Sequence, residues 1–594
     1  MKNRTLKEKS IISGMFFSAA LAMIFTQVAG VAANVIDGIV TSRFLGESAY
    51  SAVSLLGPFT STLVLIAGFL STGSQVVCSQ LVGKGEKDNA NRVFSFAWLT
   101  TLVISVLLVF GCIAFPGFLF SVCGVSPAKN ELIYQEMMQY LHGYMFGIPA
   151  LMAIQILGPM AVMDGRKKLF SLSALIMCCT DILGDLLNAL VVHGGNFGMG
   201  IATSVAFWIQ LAMILGHFLK GKGYFRIAVR SAGGALILAV LKAGSPTFVR
   251  KLATILRDLL INRMNLTVAL STAAIAARGV QNDLNTLMFC IGLGIGKSLL
   301  AMTGIYYGAK DRGGLKRLFI AAVKTSLLIA GIATVVSFFG APVIAMLYTD
   351  LPEARELAVF AIRCMALSLV LDTLLVALGN YLQGIQNRKL VNLMNFAERF
   401  FIPVLTAFVL GRMYGSKGIM ASLAVGKLLL GLIMFGIICL RCRRLPRSWE
   451  DLMFLPQGFG GAMEDNYEVQ IADMDDVMRE SAQAERFCLE HGTDPSRARM
   501  MSLFVEEMAG NIVQYGKPLK GPVRVDFRLH ADQDRICLCL VDYCEAFDPT
   551  EYYRIHLGES ASEHAGIRMV LSHAKEIRYY NTFNANNLML YLDK

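Results

Sequence analysis

Three aspartates, Asp37, Asp181 and Asp185, stand inside stretches that are otherwise apolar. Carrying an aspartate to the centre of a lipid bilayer costs about 2.5–3.5 kcal/mol on insertion scales, so each one asks for a functional reason. Asp181 and Asp185 are four residues apart and share a helix face, and Thr203 in the next apolar stretch offers a further oxygen. Carboxylates gathered in a poorly solvating pocket repel one another, so at least one is expected to hold a proton near neutral pH. Such a site exchanges H⁺, or Na⁺, against an organic cation. In the second half of the chain Asp258 and Asn262 repeat the four-residue spacing beside Arg257 and Arg263, and Asp372 lies within L-V-L-D-T-L-L. Glu398 and Arg399 are neighbours expected on diverging faces, which suits a structural role.

A second constellation lies near the C-terminus. Glu507 and Asn511 are four apart in S-L-F-V-E-E-M-A-G-N-I-V. A carboxylate there orients or deprotonates a nucleophile, and an amide oxygen ligates Mg²⁺ against phosphates. Asp542 follows an apolar alternating run and is placed to accept from an adenine amino group. Gly566 in H-A-G-I-R-M-V opens a helix whose N-terminus can face phosphate. By contrast, G-L-G-I-G-K-S at Gly292–Ser298 lacks the first glycine of a phosphate-binding loop and sits within an apolar helix. It reads as a helix-packing segment.

The elements that must position these residues follow from composition. Of 594 residues 55% are hydrophobic and only 16% charged, against about 25% charged in soluble domains. Apolar runs of bilayer-spanning length, about 20 residues, recur around residues 28, 66, 105, 145, 180, 207, 260, 290, 330, 370, 400 and 428. Twelve membrane helices are therefore expected. Basic residues crowd alternate connections, such as Lys84/Lys87/Arg92, Arg166/Lys167/Lys168 and Lys310/Arg312/Lys316/Arg317. By the positive-inside bias this puts both termini in the cytoplasm of a multi-pass plasma-membrane protein. Residues 461–594 hold 14 Lys+Arg against 23 Asp+Glu, whereas residues 1–460 hold 40 against 20, so two regions with different solvents are implied. The 13 cysteines form no paired framework, which excludes a secreted disulfide scaffold. At a constant offset of 225, Gly83, Arg92 and Phe94 match Gly308, Arg317 and Phe319, and Asp37 matches Asn262. The chain thus reads as two six-helix repeats, a transporter plan that places the substrate near the midplane between them. The tail reads as a mixed α/β domain: helices at Asp473–Glu490 and Pro495–Tyr515, strands near 523–529 and at Ile536–Val541, and a closing strand at Asn587–Leu592.

Residues 10–445 resemble the multidrug and toxic compound extrusion (MATE) family of cation antiporters. The resemblance rests on N-V-I-D-G-I-V-T-S-R-F-L-G-E-S-A-Y-S-A-V, the G-K-G-E-K-D-N-A-N-R loop, M-D-G-R-K-K, the acidic pair followed by G-N-F-G-M-G-I-A-T, and G-S-P-T-F-V-R-K. It implies an N-lobe cation site at Asp37, Asp181, Asp185 and Thr203. Asp181 departs from the family's usual Asn, and Asp372 with Gly384 fits the spacing of one branch. The tail resembles the histidine-kinase-like ATPase superfamily, in its anti-sigma-factor serine kinase branch. Asn511, Asp542 and Gly566 fall on its N, G1 and G2 boxes, and Phe547, Asp548 and Pro549 match the end of the G1 box. Cys544 replaces the G1 glycine, and Glu563 and His564 stand where a glycine-rich lid is usual.

The expected architecture is therefore an all-α polytopic membrane protein of about twelve helices in two lobes, 1–230 and 231–445. A linker at 446–464 would join it to an α/β sandwich domain of histidine-kinase-like ATPase type at 465–594. Its expected function is antiport of organic cations against H⁺ or Na⁺, with no cofactor for transport. The tail resemblance implies ATP and Mg²⁺, weak or degenerate serine kinase chemistry with Glu507 as its catalytic residue, and a regulatory protein partner. Nucleic acid is not an expected partner. Two alternatives are a membrane sensor whose tail binds or phosphorylates a partner, and a lipid-precursor flippase of the same superfamily, for which a basic cavity would be expected.

Overall fold

The computed structural model describes residues 11–594 except 123–124, 126–130, 222, 227–232, 268–271, 349–351, 457, 462–464, 520 and 556–564. Some side chains inside its helices also fall outside that description, those of Asp258 and Asn262 among them. Ten segments of the described residues are long and apolar enough to cross a membrane. In order they include span 1 (Ile12–Leu45), span 2 (Ser48–Gly83), span 3 (Lys87–Ala114), span 4 (Glu131–Met163), span 5 (Lys167–Val192) and span 6 (Gly195–Leu219). Span 7, Gly234–Thr267, is as long as these. It fails on composition because Lys242, Arg250, Lys251, Arg257 and Arg263 interrupt it. It also runs earlier in the chain than the apolar run near residue 260 suggests. Spans 8 (Val280–Gly308), 9 (Arg312–Met346) and 10 (Pro352–Gly384) follow. The segment Arg388–Cys442 is a hairpin of two helices, 388–414 and 416–442, which are spans 11 and 12. It reverses at Gly415, whose φ of 57° and ψ of −136° suit only a residue without Cβ. Its arms meet where the Thr406 hydroxyl donates to the Ser422 carbonyl at 3.1 Å.

The repeat seen in the sequence is a contact in space. A Cβ at Gly83 would stand 1.9 Å from the Ile305 carbonyl oxygen, and one at Gly308 would stand 2.1 Å from that of Gln80. These two contacts exchange under the offset of 225. Gly304 lies against Ser79, its own counterpart, with the Ser79 hydroxyl 1.8 Å from where a Cβ would be. Spans 2 and 8 therefore cross backbone to backbone on a pseudo-two-fold axis, at the end of the bundle that carries the basic loops. Nothing but glycine allows so close an approach.

The tail is a five-stranded, wholly antiparallel sheet in the order β1-β2-β3-β5-β4. Its strands are β1 Asn466–Ile471, β2 Val525–Ala531, β3 Arg535–Asp542, β4 Glu576–Thr582 and β5 Ala585–Asp593. Alternate residues point to opposite faces. One face, with Val525, Phe527, Leu538, Leu540, Leu588 and Leu590, is covered by the helices Met474–Glu490, Pro495–Tyr515 and Ala565–His573. The other face is partly covered too: Cys539, Val541, Tyr580, Phe583 and Met589 join the core of the membrane bundle, beside a cavity of about 530 Å³ lined by Arg528, Arg578 and Tyr591. The expected sandwich thus has the transporter as its second cover.

That junction engages both lobes. In the N-lobe the Phe583 amide donates to the Met163 carbonyl at 2.8 Å, and Asn584 and Arg578 lie against Gly165 and Gly85. In the C-lobe Arg528 pairs with Asp311, and Arg317 with Glu468 at 2.6 Å. Lys316 and Arg312 both hold Glu450 of the linker. Ion pairs of both polarities therefore join the sheet and linker to the loops.

Candidate functional site

Asp37 is half-buried on span 1 and accepts from the Thr41 hydroxyl one turn on, at 3.3 Å. Asp181 and Asp185 on span 5 are 4% and 1% exposed. One carboxylate oxygen of Asp181 and both of Asp185 are buried without a hydrogen-bond partner among the described residues. Thr203, buried on span 6, lies close to Asp181. The three carboxylates are within electrostatic reach of one another and of Tyr140 on span 4. The three aspartates thus lie near one another in the N-lobe, with Thr203 beside Asp181. Unpaired carboxylate oxygens at such depth are costly, and a proton or bound cation removes that cost.

Backbone geometry sets this arrangement. π-helical turns at Thr41–Leu45 and Asn188–Val192 follow Asp37 and Asp185 directly, the kind of local widening that is frequent at functional sites. Asn188 ties the second turn to the start of span 6 by accepting from the Gly194 amide at 3.0 Å and donating to the Gly195 carbonyl at 3.0 Å. Tyr140 and Tyr144, stacked at 5.6 Å between ring centres, lie near these carboxylates. Sequence reasoning missed this pair, although its four-residue spacing on one helix face was available.

The C-lobe is built differently. Asp372 on span 10 is ion-paired with Lys427 of span 12, which also holds Glu398 at 2.7 Å. Glu398 and Arg399 do not diverge as expected. A third π-helical turn, Ala397–Phe401, brings them into an ion pair at 2.8 Å, because the wider turn alters the angle between neighbouring side chains. The side chains of Asp258 and Asn262 lie outside the described residues. Lys297, within the segment dismissed as a phosphate loop, faces the lobe interface and donates to Gln27 at 3.4 Å. The glycines around it pack as expected, Gly294 against Ile24 and Gly296 against Asn380.

In the tail, Glu507 lies against Gly566, where a Cβ would stand 1.7 Å from its carboxylate. Asn511 is half-buried one turn further along the same helix. Asp542 ends β3 almost fully buried and accepts from the Cys544 amide at 2.9 Å and from the Asn586 side chain at 2.8 Å. Burial pushes its carboxyl above the usual range, against those hydrogen bonds. Glu563 and His564 fall outside the described residues.

Helices of bilayer length, a pseudo-two-fold crossing and buried, unpaired carboxylates are the features of a membrane transporter. The MatE family profile matches residues 22–190 and 246–409, more than half of the chain, and the chain belongs to this family of multidrug-efflux transporters. It is similar to the multidrug resistance protein NorM of Photobacterium profundum, 21% identical over 405 residues covering 66% of this chain and 86% of that protein. It is equally similar to the multidrug resistance protein MdtK of Yersinia pestis, 21% identical over 409 residues with the same shares covered. Its fold is that of a MATE family multidrug resistance transporter solved in an outward-facing conformation. That structure superposes with a TM-score of 0.68 at 18% identity, covering 76% of this chain and 99% of the other.

Proposed function

We propose that the protein is a secondary active antiporter that exports organic cations in exchange for H⁺ or Na⁺, with its sheet domain in the cytoplasm as a regulator. The observation that carries the reading is the group Asp37, Asp181 and Asp185, with three buried oxygens that no described side chain satisfies. A proton or Na⁺ on this group and a cationic guest near it are alternatives, since each neutralises the same charge. Alternating access then links the exit of one to the entry of the other. The test is ethidium efflux from proteoliposomes driven by an imposed pH or Na⁺ gradient. Asp37→Asn and Asp185→Asn are each expected to abolish gradient-driven efflux; wild-type rates in both would reject the site.

The regulatory reading of the sheet domain is supported by its contacts to both lobes beside the crossing of spans 2 and 8. Lobes that separate at that end must break one set of these contacts. A nucleotide fits only if the Glu507 carboxylate, which fills the space at Gly566, turns away so that a phosphate can approach the backbone there. Asn511 would hold Mg²⁺ and Asp542 the adenine amino group, and the bound nucleotide would supply charge that reorders the helices around it. Titration of a fluorescent ATP analogue into the full chain checks this. Saturable Mg²⁺-dependent binding that Asn511→Ala removes is expected, and its absence in the wild type would leave protein contact as the domain's role.

A further inference from the structure

The two lobes differ in polarity. The buried aspartates make the N-lobe site acidic, whereas cavities in the C-lobe are lined by Asp372, Glu398, Arg399 and Lys427 and, adjoining them, by Arg250. Both carboxylates are already spoken for. Lys427 pairs with each, and Arg399 pairs with Glu398. Arg399 retains a buried Nε without a partner, and its guanidinium lies over the Phe289 ring at 4.4 Å. Arg250 makes no side-chain ion pair or hydrogen bond among the described residues, and the only described partner of Lys297 is the neutral Gln27. Lys297 and Arg250 are close enough to repel each other. Arg250, Lys297, Arg399 and Lys427 thus set four cations against the two carboxylates, and Arg257 lines the same cavity.

Glu398 attracts Arg250 as well, but a surplus of cations over carboxylates is expensive at this depth. It is retained at low cost only if an anion visits. A guanidinium presents a planar fork that matches carboxylate or phosphate oxygens, and an ammonium nearby adds a point charge. The site is also well placed: Arg250 on span 7 and Lys297 on span 8 belong to the lobe opposite the carboxylates, and Lys297 touches span 1 through Gln27.

We infer that Arg250, Lys297 and Arg399 form a binding site for an anionic oxygen group, carboxylate or phosphate, carried by the transported molecule. The cargo is then an amphiphile bearing both charges, its cationic end toward Asp37, Asp181 and Asp185 and its anionic end toward span 7. This deepens the antiport reading by specifying the cargo, and it rests on that reading only for the word cargo, since the anion site exists at equilibrium without a gradient.

Calorimetric titration of the full chain in lipid nanodiscs tests it with two matched pairs: norfloxacin against its methyl ester, and dodecyl phosphate against dodecanol. The first pair isolates a drug-type carboxylate, the second a lipid-type phosphate. The wild type is expected to prefer at least one anionic member by about tenfold or more, the scale of a charge-assisted hydrogen bond. That preference should fall to within about twofold in Arg250→Gln and in Lys297→Gln, and return in Arg250→Lys. A preference in one pair alone names the source; in both, the shared anion is what is read. Because each variant is compared with itself across a pair, partial misfolding scales both members alike. Equal affinity within both pairs for the wild type, or a preference that survives both Gln variants, overturns the inference. If gradient-driven efflux is intact while the pairs bind equally, this inference alone fails. If efflux is insensitive to Asp37→Asn and Asp185→Asn while the pairs still differ, only the antiport reading fails.

Discussion

Removing Arg528 is expected to loosen the sheet domain from the membrane bundle. Arg528 is 8% exposed on β2, and its partner Asp311, also 8% exposed, begins the turn into span 9. Asp311 is committed there, since one of its oxygens accepts from the Gly314 amide at 2.7 Å. In Arg528→Met the carboxylate stays buried and loses its counter-charge. Breaking a buried pair from one side costs about 3–5 kcal/mol, equivalent to roughly 10²- to 10⁴-fold in the docking equilibrium. Tyr580, Phe583 and Met589 remain apolar contacts across the junction, so weakened docking is expected rather than full release. Amide exchange reads it directly, because the Phe583 amide donates to Met163 of the N-lobe and is protected only while docked. Exchange at Phe583 should rise by two orders of magnitude, with the amides of β3 unchanged. The double variant Asp311→Asn, Arg528→Met should recover part of the protection by removing the stranded charge. Lys575→Ala, which breaks an exposed pair with Asp593, should have no effect, as surface pairs are worth about 0–1 kcal/mol. Wild-type exchange at Phe583 in Arg528→Met would refute the reasoning.

Gly308→Ala places a methyl about 2.1 Å from the Gln80 carbonyl, so spans 2 and 8 cannot cross as they do. A cysteine at Ser79, buried in the wild type, should then become reactive to a soluble maleimide; unchanged labelling would show that the crossing yields without opening. Burial opposes ionisation of Glu450, but the Lys316 and Arg312 hydrogen bonds prevail and hold its carboxyl below the ordinary value of 4.5. Its contribution to linker docking is therefore complete at neutral pH and is lost as acidity passes through that lowered value. In a series of thermal midpoints from pH 7 to 3, Glu450→Gln should lower the neutral end and flatten the acid fall; parallel curves would count against it.

How much of this was readable beforehand varies with the physics. The membrane helices announce themselves because the bilayer demands long apolar runs, and eleven of the expected positions lie near the observed helix centres. Span 7 is displaced because its five cations break the apolar signal that locates a span. Asp37, Asp181, Asp185 and Thr203 were legible because a carboxylate in an apolar run has no cheap explanation. Lys297, Arg250 and Lys427 were not singled out, since a basic residue on a span reads as snorkelling unless the facing helix is known. β1 and β4 were passed over for a related reason. In N-Y-E-V-Q-I one face meets helices while Glu468 meets Arg317, so its polar side looked like an ordinary wetted edge. The pairing of Glu398 with Arg399 depended on a π-helical turn, which residue spacing in a regular helix does not reveal.

The sheet with two covered faces bears on how the domain can be handled. Cut free at the linker, it would bare Cys539, Val541, Tyr580, Phe583 and Met589, an apolar patch flanked by Arg528 and Arg578 of the sort that soluble monomers seldom expose. A soluble fragment is expected to need a substitute cover, whether detergent, a second copy or another protein. Solubility of the fragment is thus governed by the very residues that seat it on the bundle, and trimming them for convenience in the test tube would also remove its grip in the membrane.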